Sequence, residues 1–396
     1  MEVSMGKRAE NIGLIYMDIQ KCLICGRSEG CVAAALGVCR KCIINRRDEA
    51  REYAERMHRF SRRQFSLTTR DDILPKEDTP DAVTCTQCVN KCRIPPAKRG
   101  LCGLKENKKG KIHIRAGTKN VGFVEYYYDP LPTNCVAAWV CGEKARGDYR
   151  KKSPLQNFLT GMEKNLAVFY QSCTFDCAFC QNWHFREALH HPHEMSSAWL
   201  SAAVDNHTRC VCYFGGDPAS QLPHSIATSL EIIKRSKKDV RICWETNGSA
   251  NPRMMHKVAE IALETGGTIK FDLKAFTPEV HYALTGCSNE NTLTNFRELS
   301  RMMEKRPEPP LLSAATLLVP GYINLDEIRL IARFIADCNP KIPYTLLAFY
   351  PAYLFPDLPV TSAEHAQKGE AVCKGEGLTN INLGNIHLLS DGTYPI

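Results

Sequence analysis

The chain has 396 residues, 44% hydrophobic and 24% charged, with a formal net charge of +8. That is ordinary globular composition. No apolar run reaches the roughly 18 residues of a membrane helix, and the N-terminus lacks the charged-then-apolar order of a signal peptide. The expectation is a cytoplasmic protein with no membrane segment. Its mild basic balance permits an acidic protein or a nucleic acid as partner and demands neither.

The 20 cysteines fall in tight clusters. In a long chain without an export signal, that spacing reads as metal ligation in a reducing, oxygen-poor compartment rather than as a disulfide framework. Residues 1–45 form a Cys-rich head in which Cys22-x2-Cys25 and Cys39-x2-Cys42 supply four thiolates, the pattern of a tetrahedral zinc site. Cys31 is a bystander in that loop, and so small a head would take much of its folding energy from the metal. Residues 46–82 read as a helical linker. The basic stretch 46–70 is expected to be a solvated connecting helix, with a nucleic-acid contact as the sharper alternative.

Residues 83–164 hold a second Cys-rich module and a connector. Cys85, Cys88, Cys92 and Cys102 make another four-thiolate set. It suits zinc or an auxiliary iron–sulfur cluster, with zinc slightly preferred, because thiolates alone do not choose the metal. Cys135 and Cys141 in the connector read as buried structural thiols before extra ligands.

From residue 165 the pattern changes to short apolar runs alternating with amphipathic stretches. Strands are predicted at 166–170, 210–214, 240–244, 268–273, 314–319 and 344–350. Helical faces carry Ile226, Leu230 and Ile233, then Met254, Val258 and Ile261, then Ile328, Ile331 and Ile335. Strand–helix alternation implies a parallel sheet. The predicted fold is α/β: a partial (β/α)6, TIM-like barrel over 165–352, preceded by the two Cys-rich modules and followed by a C-terminal extension over 353–396. In such a barrel the chemistry sits at the C-terminal strand ends.

The loop after the first of these strands carries Cys173-x3-Cys177-x2-Cys180. Three thiolates on one loop can hold three irons of a [4Fe–4S] cube and leave the fourth iron open to a ligand. A zinc knuckle with a distant fourth ligand is the competing reading. The next strands end in Gly215-Gly216-Asp217-Pro218, then Glu245-Thr246-Asn247-Gly248, then Asp272 and Lys274. Glycines there let backbone approach a ligand closely, and Asp217 could accept from an ammonium group. Polar chemistry on successive strand ends beside a cluster loop favours a ligand site over a run of solvated turns. The remaining cysteines, Cys210, Cys212, Cys243, Cys287, Cys338 and Cys373, read as core.

The segments CTQCVNKCRIPPAKRGLCGL, SCTFDCAFCQNW, YFGGDPAS, ETNG, FDLKAF, TLLVPGY, FYPAY and LGNIHLL resemble the radical S-adenosylmethionine (SAM) superfamily. Within it they resemble the branch of pyruvate-formate-lyase-activating enzymes, and most nearly its AmmeMemoRadiSam-type members. The resemblance implies a [4Fe–4S] cluster on Cys173, Cys177 and Cys180, with SAM chelating the fourth iron. It implies Phe179 beside the adenine, and Gly215, Gly216 and Asp217 at the methionine amino group. Glu245, Asn247, Asp272 and Lys274 would face the ribose, the carboxylate or the substrate. It also implies an electron donor such as ferredoxin or flavodoxin, and a 5′-deoxyadenosyl radical that abstracts hydrogen.

The sequence departs from the family pattern in an expanded connector, in His184 where relatives typically have an acid, and in its first 75 residues. His184 reads equally as a group near the site and as a surface histidine. These departures bear on the substrate. The leading expectation is an activase for a glycyl-radical enzyme. The alternatives are a modification enzyme acting on RNA, a peptide or a small molecule, and a metal-binding adaptor without activity.

Overall fold

The computed structural model describes residues 21–27, 31–73, 79–131, 135–142, 163–236 and 240–396. Most of the connector after Gly142 and part of the linker therefore lie outside the described residues. No described helix is long and apolar enough to cross a membrane.

A nine-stranded sheet forms the body. Its strands are β1 (Gly122–Pro130), β2 (Lys164–Tyr170), β3 (Thr208–Gly215), β4 (Arg241–Thr246), β5 (Ile269–Asp272), β6 (Leu312–Leu318), β7 (Tyr344–Ala348) and β8 (Ile381–Gly384), with the short strand Glu194–Met195 at one edge. Strands β2 to β8 are parallel and lie side by side in chain order. That is the order of a partial barrel rather than of a doubly wound sheet.

All six predicted strands are present. The sheet also extends beyond them. β1 pairs antiparallel with β2, and β8 adds a parallel edge from beyond residue 352. Neither is among the predicted strands. In β8, the run Ile-Asn-Leu-Gly is short and only half-buried. β1 ends in a mostly exposed Tyr-rich stretch.

Side chains alternate across the strands. Val211 and Tyr213 of β3, Ile242 and Trp244 of β4, and Ile269 and Phe271 of β5 join the main core. The intervening positions (Cys210, Cys212, Cys243, Glu245, Lys270 and Asp272) face the bore.

Helices α2 (Leu222–Arg235), α3 (Pro252–Thr265), α4 (Pro278–Thr285), α5 (Glu290–Ser300), α6 (Leu325–Cys338) and α7 (Ala363–Gly375) connect the strands. In α6, Ile328, Ile331 and Ile335 are buried as the periodicity predicts. The α2 face differs from expectation: Leu230 is exposed, while Ser225, Thr228 and Ser229 are buried. Small hydroxyl residues let this helix pack closely, with Ser225 accepting from Trp244 Nε1 at 3.1 Å and Ser229 bonded to the Tyr213 hydroxyl at 3.0 Å.

The N-terminal pieces are docked on this body. The helix α1 (Arg47–Arg63), expected to be a solvated spacer, buries Ala50, Ala54, Met57, His58, Ser61 and Arg62. The head is held by Ala33 N–H donating to the Tyr322 hydroxyl at 3.0 Å and by an Arg40–Glu327 ion pair at 2.9 Å. Gly321 belongs to this junction, since a Cβ there would lie 2.0 Å from the Cys31 carbonyl oxygen.

Candidate active site

A cleft of about 240 Å³ opens at the C-terminal ends of the parallel strands. Its wall contains Cys173, Cys177 and Cys180 together with Phe179, Gly215, Gly216, Asp217, Glu245, Asn247, Asp272 and Lys274. The residues singled out from separate sequence segments thus share one cavity. His184 does not line it: it is exposed and stacked on Trp183 at 3.9 Å.

The cysteine loop is pinned by its backbone. Asp176 N–H donates to Thr285 O at 2.8 Å, and Ala178 N–H to Leu284 O at 2.9 Å. On its other side, Gly216 N–H donates to Tyr170 O at 2.8 Å and Asp217 N–H to Ser172 O at 2.7 Å. Glycine is required here. Gly215 has φ +109°, and a Cβ on Gly216 would lie 2.4 Å from the Ser172 carbonyl oxygen.

Asp217, expected from the sequence to accept from an ammonium group, is also engaged within the chain. Its carboxylate accepts from Ala219 N–H at 2.7 Å, Asn247 N–H at 2.6 Å and the Thr246 hydroxyl at 2.9 Å. It therefore ties the end of β3 to the end of β4. Burial pushes its pKa up to about 6, against the opposing pull of those hydrogen bonds. Asn247 in turn donates to Thr174 Oγ1 at 2.8 Å and reaches Cys173 Sγ at 3.8 Å.

Across the cavity runs a row of charges. Lys270 Nζ sits 2.9 Å from Glu245 and 2.8 Å from Asp272, and Lys274 Nζ is 3.0 Å from Asp272. Burial works against ionising Asp272, but Lys270 and Lys274 outweigh it and hold the carboxyl below its usual range. Lys270 was missed by sequence reasoning. The signal was a lysine inside a strand, two residues from Asp272 and four from Lys274, which places all three on one face.

The donor set fits an anionic iron–sulfur cluster. Burial pushes the Cys173 and Cys177 thiols above the ordinary thiol range, so a bound cation is what would hold them as thiolates. Arg186 lines the same cavity, and its buried Nη1 has no hydrogen-bond partner among the described residues.

The first accessory set of cysteines also gathers. The sulfurs of Cys22, Cys25, Cys39 and Cys42 all lie within 4.8 Å of one another. Four thiolates around one zinc would stand about 3.8 Å apart, given Zn–S bonds of about 2.3 Å. Cys85, Cys88, Cys92 and Cys102 line a small cavity bordered by Thr174 of the cluster loop. Their module is joined to that loop by Ser172 Oγ donating to Cys102 O at 2.9 Å and by Asn90 Nδ2 donating to Thr174 O at 2.7 Å.

Residues 167–335 match the radical SAM superfamily. The chain is 29% identical over 175 residues to the isethionate sulfite-lyase activating enzyme of Oleidesulfovibrio alaskensis, covering 42% of this chain and 50% of that one. It is 24% identical over 188 residues to a candidate glycyl-radical-enzyme activating enzyme of Methanocaldococcus jannaschii, covering 48% and 68%. The chain thus spans about half the length of the first of these relatives. A solved domain of a pyruvate-formate-lyase-activating enzyme from Bacteroides vulgatus aligns with a TM-score of 0.35 at 21% identity, covering 44% of this chain and 98% of that one. The superfamily match spans the cysteine loop and the strand ends that line the cavity, so residues 167–335 carry a radical SAM domain. Its curated relatives are activating enzymes, and a [4Fe–4S] cluster and SAM are the cofactors this class implies.

Proposed function

We propose that this chain holds a [4Fe–4S] cluster on Cys173, Cys177 and Cys180, binds SAM in the strand-end cavity, and activates a glycyl-radical enzyme. The observation that carries the reading is the shared cavity: the cysteine loop, the Gly215–Asp217 turn, Asn247 and the Asp272–Lys274 pair line one space. When bound and reduced, the cluster would supply the electron that splits SAM into methionine and a 5′-deoxyadenosyl radical, which abstracts hydrogen from the substrate.

The remaining work falls to the chain's own residues. Gly215 and Gly216 bring backbone against the ligand. Asn247 supports Cys173, Phe179 walls the adenine side, and Lys274 offers a cation to the SAM carboxylate. Buried walls exclude water and oxygen. A low-potential protein of the ferredoxin or flavodoxin kind would supply the electron in a reducing cytoplasm. The head would hold zinc, and the second module zinc or an auxiliary iron–sulfur cluster. The activase reading draws on the curated relatives, both named as activating enzymes.

The test is anaerobic. The protein reconstituted with iron and sulfide is given a strong reductant and SAM, and 5′-deoxyadenosine is quantified beside a chain carrying Cys173→Ala, Cys177→Ala and Cys180→Ala. Product that disappears in the variant supports the cleavage. A glycyl radical on a co-expressed partner, seen by electron paramagnetic resonance, supports the activase role, and its absence with every partner removes that role.

A further inference from the structure

Arg186 sits in the short helical turn Phe185–Ala188 that follows the cysteine loop. It is wholly buried, a rare condition for an arginine. Its guanidinium is gripped along one edge and on its faces. Nε and Nη2 donate to Asp176 Oδ1 at 3.2 and 2.8 Å. The Phe185 and Tyr353 ring centres lie 4.7 and 4.5 Å from its central carbon. The Tyr353 segment is itself tied to the cysteine loop, since Leu354 N–H donates to Ala178 O at 2.9 Å.

What is left over is Nη1. It is buried and has no hydrogen-bond partner among the described residues. A buried donor of a charged group left unmade is costly, and native proteins keep few of them. The ion pair with Asp176 does not account for it, because that pair uses the Nε–Nη2 edge of the fork.

The surroundings point to sulfur. Arg186 lines the strand-end cavity together with Cys173, Cys177 and Cys180. Phe185, the ring beside its guanidinium, belongs to the apolar cluster onto which Cys173 and Cys180 pack. Burial opposes the Arg186 charge, while Asp176 and then Cys180 and Tyr353 reinforce it. Asp176 is steadied in turn from α1, by His58 and by the Ser61 hydroxyl. The helix therefore fixes the guanidinium through the acid.

We propose that Arg186 is a positioning residue for the cluster: Nη1 donates a hydrogen bond to sulfur on the Cys180 side of a [4Fe–4S] cluster held by Cys173, Cys177 and Cys180. The proposal rests on the cluster reading above and deepens it. Hydrogen bonds to sulfur and nearby charge set the potential of such clusters. Reduction adds negative charge, and a cation bonded to sulfur favours the more negative state. Arg186 therefore raises the reduction potential and eases electron arrival from a low-potential donor.

The test uses the full chain loaded anaerobically with iron and sulfide, without SAM. Arg186→Lys keeps a cation beside Asp176 but loses the fork that serves two partners at once. Its midpoint potential, from a redox titration read by electron paramagnetic resonance, should shift to more negative values, with iron and sulfide per chain unchanged. Arg186→Gln, which removes the charge as well, should shift it further. An arginine that serves only as counter-charge to Asp176 would lower stability in urea and leave the potential where it is, and that result would overturn the proposal.

A second measurement needs no variant to fold. The unaltered chain is made with isotopically labelled arginine, and its reduced cluster is examined by pulsed electron paramagnetic resonance. Coupling of an arginine nitrogen to the cluster spin is expected. A full cluster with no such coupling overturns the role of Arg186 alone. A chain that takes up no cluster overturns the cluster reading and this role with it, so the two failures are distinguishable, and neither readout depends on SAM cleavage.

Discussion

His58 Nδ1 lies 3.1 Å from Asp176 Oδ2, which places the helix Arg47–Arg63 against the loop between Cys173 and Cys177. The same carboxylate accepts from Arg186 Nη2 at 2.8 Å and from Ser61 Oγ at 3.1 Å. Burial alone would raise the Asp176 pKa, but Arg186, Arg62 and the His58 hydrogen bond hold it well below the usual carboxylate range. The helix is therefore a brace for the cluster loop. Its charges meet a buried acid that the loop itself supplies.

Removing that acid should be expensive. Asp176→Asn leaves Arg186 and Arg62 buried without their counter-charge, a change of the kind that costs about 3–5 kcal/mol. His58→Ala removes one hydrogen bond to the carboxylate and one to Ala283 O but strands no charge, and should cost about 1–3 kcal/mol. Urea unfolding of both variants checks the order. Equal, small losses would mean that the helix does not brace the loop.

The charge row makes a similar prediction from the other wall. Lys270 is buried between Glu245 and Asp272. Lys270→Met would leave two carboxylates facing each other across the gap it vacates, and should destabilise the protein by about 3–5 kcal/mol. Asp272 would lose its nearest cation, and its pKa should move upward. Thermal unfolding across pH 4 to 8 reads both effects, and the deficit should shrink toward the acid end as the carboxylates protonate.

The sheet was legible in the sequence where strands are apolar and flanked by turns, and α6 was legible because Ile328, Ile331 and Ile335 recur at helical spacing on its buried face. The cavity was legible because its residues sit at strand ends in short, chemically distinctive runs. What escaped has physical reasons. The α2 face is built of serine and threonine, so hydrophobic periodicity pointed to Leu230 instead. The helix Arg47–Arg63 hides its buried His58 and Arg62 among many surface charges, and only the tertiary partner Asp176 reveals them. Lys270 escaped because which face of a strand meets the bore is set by the whole barrel.

The Gly215–Gly216 turn gives a prediction read in metal content. Gly216→Ala places a methyl group against the Ser172 carbonyl oxygen, one residue before Cys173. The clash is with backbone, so the cysteine loop must shift. The variant should fold but hold substantially less iron after reconstitution, while the zinc proposed for the Cys22–Cys42 head is unchanged. Iron and zinc counted on the same sample separate a local shift from general unfolding, in which both would fall.

Acid stability follows from three buried histidines. His224 is held between the Tyr170 hydroxyl at 2.9 Å and Met195 O at 2.9 Å. His281 contacts Cys287 O at 2.8 Å, and His365 contacts the Tyr394 hydroxyl at 3.0 Å. Burial lowers each to about 4, against a smaller upward pull from a backbone hydrogen bond. The unfolded value is about 6.5. Between these values the unfolded chain binds protons that the folded chain does not, so stability rises with pH. The contribution is complete above about pH 6.5 and is lost as pH falls toward 4. Each histidine adds about 1.4 kcal/mol per pH unit to the slope. Asp217 acts in the opposite sense: its raised value of about 6 makes stability fall as pH rises from about 4. The net slope between pH 4.5 and 6 should therefore match about two protons. His224→Gln should remove about one of them, and Asp217→Asn should add about one. Urea titrations over this window, made on the chain lacking Cys173, Cys177 and Cys180 so that cluster loss does not intrude, measure each change directly. A slope unaltered by His224→Gln would mean that His224 is protonated in the folded protein.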